Sequence, residues 1–430
     1  MAQDENVNQH YLDRVVALAE TSDVHASEDI VSSNGVKLLA KGSRIDGRVR
    51  ERLLEHKLKQ PLESVMQVAD GVATRRIDRV ADTLLERHGL LARLCGDGMS
   101  DLLRTSLRKL TLPPQLDSLL TLYASPSAEK LEHSVGIALL ACAMSRDLPG
   151  AGLERALMLT AGLAHDVGEL YIDPRLLESP GRLSPQEWKH IAAHPVSGAR
   201  VLTDMPGAGP KVAEAVLHHH ERLDGFGYPR GLRGDQVPMA GQVLAMAEML
   251  MGLLEHAQHH ALHAEIAVKL IPGEFSRQLL NRIAVASAGT RQAGGDPIRE
   301  AVEASRVTER FQQVRSALLR LQSGQQAVAG KLQSAPGRAL HEHVTERANR
   351  IAKALASTGL DQDAQSGLLS QWQSFDESLR LEASIVLREL EWRLRELARE
   401  AQLRCERLPP AEGQALRDWV LGETSTPVPA

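Results

Sequence analysis

The stretch LHHHERLDGFGYPRGL, residues 217–232, sets three adjacent histidines and a carboxylate against a glycine-rich turn. Burying imidazoles without partners costs about 1–3 kcal/mol each in lost hydrogen bonds. The segment is therefore poor core material by itself. It predicts a metal site beside a shaped loop.

Overall composition limits the classes of protein to consider. The chain has 430 residues, enough for two or three domains. Its formal net charge is -5, with Lys and Arg interleaved among Asp and Glu, which disfavours DNA binding. The widely spaced Cys95, Cys142 and Cys405 form no CxxC pair or disulfide framework, so buried or incidental thiols in a reducing compartment are expected.

Targeting signals are not visible in the sequence. No run of 18 apolar residues occurs, and the first residues, MAQDENVNQH, have neither a basic nor an apolar region typical of a signal peptide. We expect a cytoplasmic protein with no membrane association.

Helices should dominate the fold, because aromatic residues make up only 3% of the chain while Leu, Ala, Glu and Arg are abundant. The exception is a small N-terminal α/β element, residues 1–75, in which Asn34-Gly35 separates short apolar runs as a hairpin turn does. A helical connector is expected over 76–124, with a break at Pro113-Pro114. Residues 125–282 hold eleven of the seventeen histidines and form the expected catalytic domain.

A helical region is expected over 300–420, with two long helices separated by the break Ser334 to Gly337. The first carries a narrow apolar seam with 4-3 spacing, consisting of Val307, Phe311, Val314, Leu318, Leu321, Val328 and Leu332. The second, from about Leu368 to Leu403, includes Trp372 and Phe375 among its apolar positions. The pattern fits a hairpin or coiled coil folded on itself. It also fits a homodimer or partner interface.

Further metal-type ligands surround the opening motif. Asp166 has two carboxylate oxygens with which to bridge two cations, and it follows His165 at the end of an apolar helical run. Glu129 and His133 lie four positions apart, on one helical face. His194 precedes a proline, and Glu248 is a lone carboxylate on an apolar helix.

Together these residues match a binuclear site of imidazole and carboxylate ligands, which suits iron or manganese better than structural zinc. Two such ions about 3.5–4 Å apart lower the pKa of a bound water and clamp the oxygens of a phosphoryl group. The natural reaction is phosphoester hydrolysis.

The order of these motifs, His133, His165-Asp166, His194-Pro195, His219-His220-Glu221 and Asp224-Gly225-Phe226-Gly227-Tyr228-Pro229, resembles the HD-GYP subgroup of the HD phosphohydrolase superfamily. The resemblance covers roughly Ser125 to Arg282. It implies an all-helical domain with a bi- or trinuclear metal centre that cleaves cyclic di-GMP through a metal-bridging hydroxide.

The resemblance also implies roles for single residues. The implied metal ligands are His133, His165, Asp166, His194, His219 and His220, with Asp166 as the bridge, Glu248 as the last carboxylate and Glu129 as the extra ligand of trinuclear members. The implied nucleotide pocket contains Gly225, Gly227, Tyr228 and Pro229, with Arg230 and Arg233 as neighbouring cations. Asp166 and Glu169 are the candidate catalytic residues.

Three departures from the family pattern bear on turnover. Glu169 stands where family members usually have a lysine that meets a substrate phosphate, and the reversal is worth up to about 4 kcal/mol at 4 Å and an effective dielectric near 20. Glu248 replaces the usual Asp. The segment EHAQHHALH replaces the usual Arg-rich segment, and its His256, His259, His260 and His263 share one helical face. This pattern favours a solvated polar surface over the two alternatives, a substitute phosphate-binding group and an adventitious metal site.

The main hypothesis is therefore a metal-dependent cyclic di-GMP phosphodiesterase. One alternative is a catalytically impaired binding or scaffold protein that keeps the metal fold. The other is a hydrolase of a different nucleotide phosphoester.

Overall fold

The computed structural model describes residues 7–69, 71, 74–96, 103, 105–107, 110–125, 127–146, 148, 154–178, 183–256, 260–270, 273–292, 303–360 and 375–422. Helices dominate these residues and the strands are short, so the mainly α prediction is confirmed. Contacts divide the chain into two compact units, Met1–Pro180 with His190–His256, and Gly181–Lys189 with Ala257–Ala430.

The first unit contains most of the secondary structure elements. Its helices are α1 Gln9–Leu18, α2 Arg50–Glu55, α3 Leu62–Val65, α4 Thr74–Arg87, α5 Gly89–Cys95, α6 Pro114–Ala124, α7 Ala128–Ser145, α8 Arg155–Ala164, α9 Pro174–Leu177, α11 His194–Thr203, α12 Pro210–Leu217 and α13 Met239–His256. Its 3₁₀ helices are Val167–Tyr171 and Gly234–Gln236, and its strands are β1 Val24–Ala26, β2 Ile30–Val31, β3 Lys37–Leu39 and β4 Met66–Val68.

The strands form two small antiparallel pairs. β1 pairs with β4, and β2 pairs with β3. The second pair is the hairpin predicted at Asn34-Gly35, and its register shifts between Ile30 and Val31. The backbone N–H of Val68 donates to Ser118 Oγ at 3.0 Å, which ties β4 to α6.

The N-terminal helix α1 packs on the 3₁₀ helix Val167–Tyr171. Asn8 caps α1, because its side chain accepts a hydrogen bond from Tyr11 N. The Tyr11 ring stacks on the Tyr171 ring with centroids 5.0 Å apart and planes 8° apart. Asn8 Nδ2 also donates to the Tyr171 carbonyl at 3.3 Å. The N-terminal element therefore contacts the turn that follows His165-Asp166.

Helix α7 lies at the centre of the first unit. Every residue from Ser134 to Met144 is buried, and a helix that is apolar on all sides packs inside a core. Ser127 caps its start by accepting a hydrogen bond from Glu129 N at 3.1 Å. Helices α4, α8 and α13 pack against it. As expected from the break at Pro113-Pro114, α6 begins at Pro114, where a proline is tolerated.

The second unit contains α10 Pro185–Ile191 up to Lys189, α14 His260–Leu270, α15 Arg277–Gln292, α16 Ala304–Ala329, α17 Ala335–Ser357, α18 Glu377–Cys405 and α19 Pro410–Leu421. Helices α14 and α15 fall in this unit, whereas the expected catalytic domain extended to residue 282.

The predicted apolar seam is present on α16, where its first six residues are buried, although Leu332 lies beyond the end of the helix. The predicted pair of helices is incomplete, because α17 lies between them in sequence and α19 follows, and α16, α17 and α18 pack against one another. Helix α18 begins at Glu377, after Phe375. The predicted start at Leu368 and the position of Trp372 lie outside the described residues.

A buried network of charges explains why His263 is not part of a solvated surface. His263 is only 5% exposed, and its Nε2 lies 2.7 Å from Glu389 Oε1. Arg393 pairs with both Glu389 and Glu274, and Arg347 Nη2 lies 3.1 Å from Glu274 Oε1. Buried charges persist when they are paired in this way. The prediction is thus wrong for His263, while the side chains of His256, His259 and His260 lie outside those described.

Two other predictions concern the whole chain. Cys95, Cys142 and Cys405 are free and buried, as expected. Among the described residues, none of the helices combines the length and apolarity needed to cross a bilayer.

Glu400 on α18 gives a test of the second unit. Burial raises the pKa of this 4% exposed carboxyl from 4.5 to about 7, with Arg404 acting in the opposite direction. The folded state therefore keeps a proton that the unfolded chain loses, and stability falls as the pH rises from about 4.5 to about 7. Glu400→Gln should raise the free energy of unfolding at pH 8 by up to about 3 kcal/mol, and should do less at pH 5.

Tryptophan fluorescence during urea unfolding would measure this effect, because Trp188, Trp372, Trp392 and Trp419 all belong to the second unit. Glu346→Gln is the matched control, since that side chain is 57% exposed. Equal stability changes at pH 5 and pH 8 would contradict the assignment.

Candidate metal centre

The turn after α8 carries His165 and Asp166 and lies against the start of α11. A Cβ placed on Gly168 would lie 1.9 Å from the His194 carbonyl oxygen, a distance that real Cβ atoms essentially never show. Only glycine allows this approach. The close packing brings Asp166 and His194 to one site.

Seven predicted ligands form two groups whose candidate ligand atoms lie within 4.8 Å of one another in each group. The first group consists of Asp166, His194, His219 and His220. The second group consists of His133, His165 and Glu248. The structure therefore brings together side chains spread over more than a quarter of the sequence.

Backbone carbonyls fix the orientation of three imidazoles. His165 Nδ1 lies 2.8 Å from Gly162 O, His194 Nδ1 lies 2.8 Å from Ile191 O, and His219 Nδ1 lies 2.6 Å from Val216 O. A carbonyl only accepts, so each Nδ1 carries the proton and donates it. The Nε2 lone pairs consequently face the centre, which is the tautomer that a metal ligand needs.

Asp166 lies between the two groups. Its Oδ1 is 3.1 Å from His194 Nε2 and 3.4 Å from His219 Nε2. Its Oδ2 is 3.1 Å from His165 Nε2 and 3.9 Å from His133 Nε2. One oxygen thus faces each group, which is the geometry of a bridging carboxylate.

Glu248 reaches the second group despite its extra methylene. Its Oε2 lies 3.3 Å from His133 Nε2 and 3.4 Å from His165 Nε2. His133 is oriented by Glu255, whose Oε1 lies 3.0 Å from His133 Nδ1. Sequence reasoning missed Glu255, although it lies seven positions after Glu248 and hence on the same face of α13.

The arrangement fits divalent cations on its own chemistry. The Nε2 atoms of His133 and His165 are 3.2 Å apart, as are those of His194 and His219. Asp166 Oδ1 and Glu248 Oε2 are buried acceptors without a hydrogen bond. Lone pairs that face one another in this way are stabilised by a cation between them. Imidazole and carboxylate donors suit such a cation well.

The protonation equilibria of the ligands are strongly perturbed. Burial lowers the pKa of His165, but Asp166 outweighs it and the pKa rises to about 10. Burial raises the pKa of Asp166, yet His165, His194 and His219 hold it well below its usual value. Burial and His219 hold the pKa of His220 well below 6.5, so this imidazole is neutral. Metal binding at this site is therefore expected to release protons.

One predicted metal ligand, Glu129, and one predicted catalytic residue, Glu169, lie outside both groups. Glu129 is exposed on the first turn of α7. Glu169 Oε2 lies 2.7 Å from Lys130 Nζ. Its negative charge is thus paired, and the expected repulsion of a phosphate is correspondingly reduced.

The loop after His220 is held by Glu221, which the sequence did not mark as structural. This buried carboxylate accepts hydrogen bonds from Arg230 N at 2.7 Å and Leu232 N at 2.9 Å. A Cβ on Gly227 would lie 2.4 Å from Glu221 Cα, so glycine is required for the close return of the chain. Tyr228 then stacks on His220 with centroids 4.6 Å apart.

The other residues predicted for the nucleotide pocket lie on the same loop. The Tyr228-Pro229 peptide bond is cis. Arg230 and Arg233 are exposed, and the Arg233 side chain lies beside Gly225. The loop therefore places Tyr228 directly against a candidate ligand, with two arginines at its outer side.

The ligand groups predict how metal content responds to mutation. His219→Ala with His220→Ala should remove about one ion per chain, because the first group then keeps only Asp166 and His194. Elemental analysis of protein purified without oxygen would measure the loss. His190→Ala is the control, since His190 is exposed and belongs to neither group. Unchanged metal content in the double variant would refute the assignment.

Substitution of Glu255 should have a smaller effect, a loss of metal affinity without the loss of a ligand. Glu255→Gln should weaken metal binding about 10- to 100-fold, because it removes the charged acceptor that orients His133. Competition with a chelator of known affinity would measure it, with the exposed Glu214→Gln on α12 as control. Equal affinities for wild type and Glu255→Gln would rule out the orienting role.

Comparison with known proteins agrees with this geometry. A family model described as "HD domain" matches residues 116–271. The chain is 36% identical over 119 residues to "Cyclic di-GMP phosphodiesterase PA4108" of Pseudomonas aeruginosa, covering 27% of this chain and 28% of that protein. It is 25% identical over 222 residues to "3'3'-cGAMP-specific phosphodiesterase 3" of Vibrio cholerae, covering 48% and 47%.

A third relative, "Cyclic di-GMP phosphodiesterase" of Thermotoga maritima, is 40% identical over 85 residues, covering 20% of this chain and 23% of that protein. Each match thus spans less than half the length of the relative. The matched region nevertheless includes all seven side chains of the two ligand groups. Over residues 116–271, 156 of its 430 residues, this chain is similar to the HD-domain family.

Proposed function

We propose that this protein is a metal-dependent phosphodiesterase that hydrolyses cyclic di-GMP. The observation that carries the proposal is the position of Asp166, with one carboxylate oxygen facing each of two ligand groups. Such a pair of sites suits the in-line displacement of a phosphodiester, in which the attacking and the leaving oxygen both need stabilisation.

We propose two divalent ions, iron or manganese, one for each ligand group. When bound, they would lower the pKa of a water and stabilise negative charge on phosphoryl oxygens. The donor set favours these metals because it contains imidazoles and carboxylates and no thiolate. Glu129 lies in neither group, so a third ion is not part of the proposal.

The protein contributes orientation and charge. The carbonyls of Gly162, Ile191 and Val216 hold three imidazoles in the ligand tautomer. The neighbouring histidines hold the pKa of Asp166 low although burial raises it, and this keeps the carboxylate ionised. The ligands are thus arranged before substrate arrives, and little reorganisation is needed during reaction.

The loop after His220 is proposed to shape the substrate pocket. Gly225, Gly227, Tyr228 and Pro229 lie on a segment that two bonds to Glu221 hold in place. Tyr228 offers a ring face for a guanine base beside His220. The exposed Arg230 and Arg233 would meet phosphate oxygens.

The choice of cyclic dinucleotide rests on relatives that are named for two substrates, cyclic di-GMP and 3'3'-cGAMP. Both contain two phosphodiesters and a guanine, so the same centre would serve either. We propose cyclic di-GMP as the preferred one.

Hydrolysis by the metal-loaded protein tests this function. Protein reconstituted anaerobically with Fe²⁺ or Mn²⁺ should convert cyclic di-GMP into the linear dinucleotide or GMP, faster than 3'3'-cGAMP. Asp166→Asn should lower kcat/KM by at least about 100-fold, because the bridging charge is lost. Chromatography of the products would measure both.

The exposed His190→Ala serves as the control for handling and metal loading. Absence of turnover by wild type that carries two ions per chain would refute the proposal. It would indicate instead a binding or scaffold protein built on the same centre.

A further inference from the structure

Glu169 occupies the position at which the family usually has a lysine, yet a lysine ammonium is present there. Lys130 Nζ lies 2.7 Å from Glu169 Oε2, and the two side chains are only 27% and 19% exposed. Lys130 lies on α7 and Glu169 on the 3₁₀ helix Val167–Tyr171. The cation thus comes from a different element of the fold.

Lys130 lies close to the metal centre. Its Nζ is 4.6 Å from the centroid of the Tyr123 ring, and the Tyr123 hydroxyl donates to Asp166 Oδ2 at 3.4 Å. The ammonium is therefore one tyrosine ring away from the bridging carboxylate. An ammonium has three N–H donors, and one carboxylate and one ring face do not use all of them. Among the residues that the structure describes, no other partner uses the remaining donor, which is available for a substrate oxygen.

Arg14 supplies a second cation from the N-terminal element. It follows Tyr11 by three positions on α1, so it lies on the face that packs on the 3₁₀ helix. Its Nε and Nη2 are buried and have no hydrogen-bond partner among the described residues. The carboxylates of Glu169 and Glu178 act to raise its pKa, against the lowering effect of burial. Arg14 thus adds a positive charge that acts on the same glutamate as Lys130.

Buried guanidinium donors without acceptors are unfavourable, and a phosphate oxygen would satisfy them. Arginine and lysine are the usual partners of phosphate oxygens. A cyclic dinucleotide carries two phosphates, and the metal centre engages the one that is cleaved. The other needs cations nearby.

We propose that Lys130 and Arg14 form a cationic subsite that binds a phosphate of the cyclic dinucleotide, with Glu169 as the residue that positions Lys130. The proposal rests on the proposed function. It makes the N-terminal element part of the substrate site.

The test is steady-state kinetics of metal-loaded protein with cyclic di-GMP, together with equilibrium binding of cyclic di-GMP. Lys130→Met and Arg14→Met should each raise KM and the dissociation constant by about 10-fold or more, because each removes a charged donor to phosphate. Metal content should stay at the wild-type value, since neither residue belongs to a ligand group.

Two matched controls remove paired charges elsewhere. Lys269→Met breaks a 2.6 Å pair with Glu265 at a lysine that is 63% exposed. Arg306→Met breaks a 3.1 Å pair with Glu303 at an arginine that is 77% exposed. Both lie in the second unit and should leave KM and binding unchanged.

A double variant separates substrate binding from a purely structural ion pair. Lys130→Met with Glu169→Gln leaves no unpaired charge, so a structural role predicts recovery of wild-type kinetics. A phosphate-binding role predicts that the double variant keeps the raised KM.

The outcomes distinguish this inference from the proposed function. Wild-type turnover with unaffected Lys130→Met and Arg14→Met variants overturns the subsite and leaves the function standing. Wild-type binding without turnover, weakened in both variants, supports the subsite and refutes the phosphodiesterase. Wild-type KM in the double variant also overturns the subsite.

Discussion

The Asp166 carboxylate turns one oxygen toward each of two sets of ligands, and the rest of the centre depends on that orientation. A buried carboxylate at this position is unfavourable without compensating charge. When no cation is bound, the protonated His165 compensates it, which is why the pKa of Asp166 stays low despite burial. The surrounding imidazoles meet Nε2 to Nε2 at 3.2 Å in both groups, an arrangement that cations stabilise. The charge of Asp166 and the facing Nε2 lone pairs thus both favour a bound cation.

The backbone turns that hold these ligands explain why the motifs are short. His165, His194 and His219 each use Nδ1 to bind a carbonyl three positions earlier, so each ring is oriented by its own turn of chain. Gly168 then lets two of these turns pack directly on one another. Local sequence sets the rings, and close packing sets the distance between them.

The difference between local ring orientation and long-range packing also explains how much the sequence could predict. The mainly α fold, the hairpin at Asn34-Gly35 and the gathering of seven candidate ligands could be predicted, since each depends on short motifs or on periodicity. The contacts of Glu255 and Lys130 could not, because their partners lie 122 and 39 positions away and only the packing of helices brings them together. His263 was misread for the same reason, since its partner Glu389 lies on α18.

The charge at position 169 shows that a single residue of a motif does not determine the electrostatic field that a substrate meets. A substrate responds to the field at a point in space, and that field sums every nearby charge. Glu169 alone would repel a phosphate, but Lys130 pairs with it and Arg14 adds its own charge from α1. Because α1 is anchored by the stack of Tyr11 on Tyr171, the cation it carries stays at a fixed place. The proposed subsite thus offsets a loss of positive charge within the motif by residues that the motif does not contain, and it would give the N-terminal element a part in how the centre meets anionic ligands.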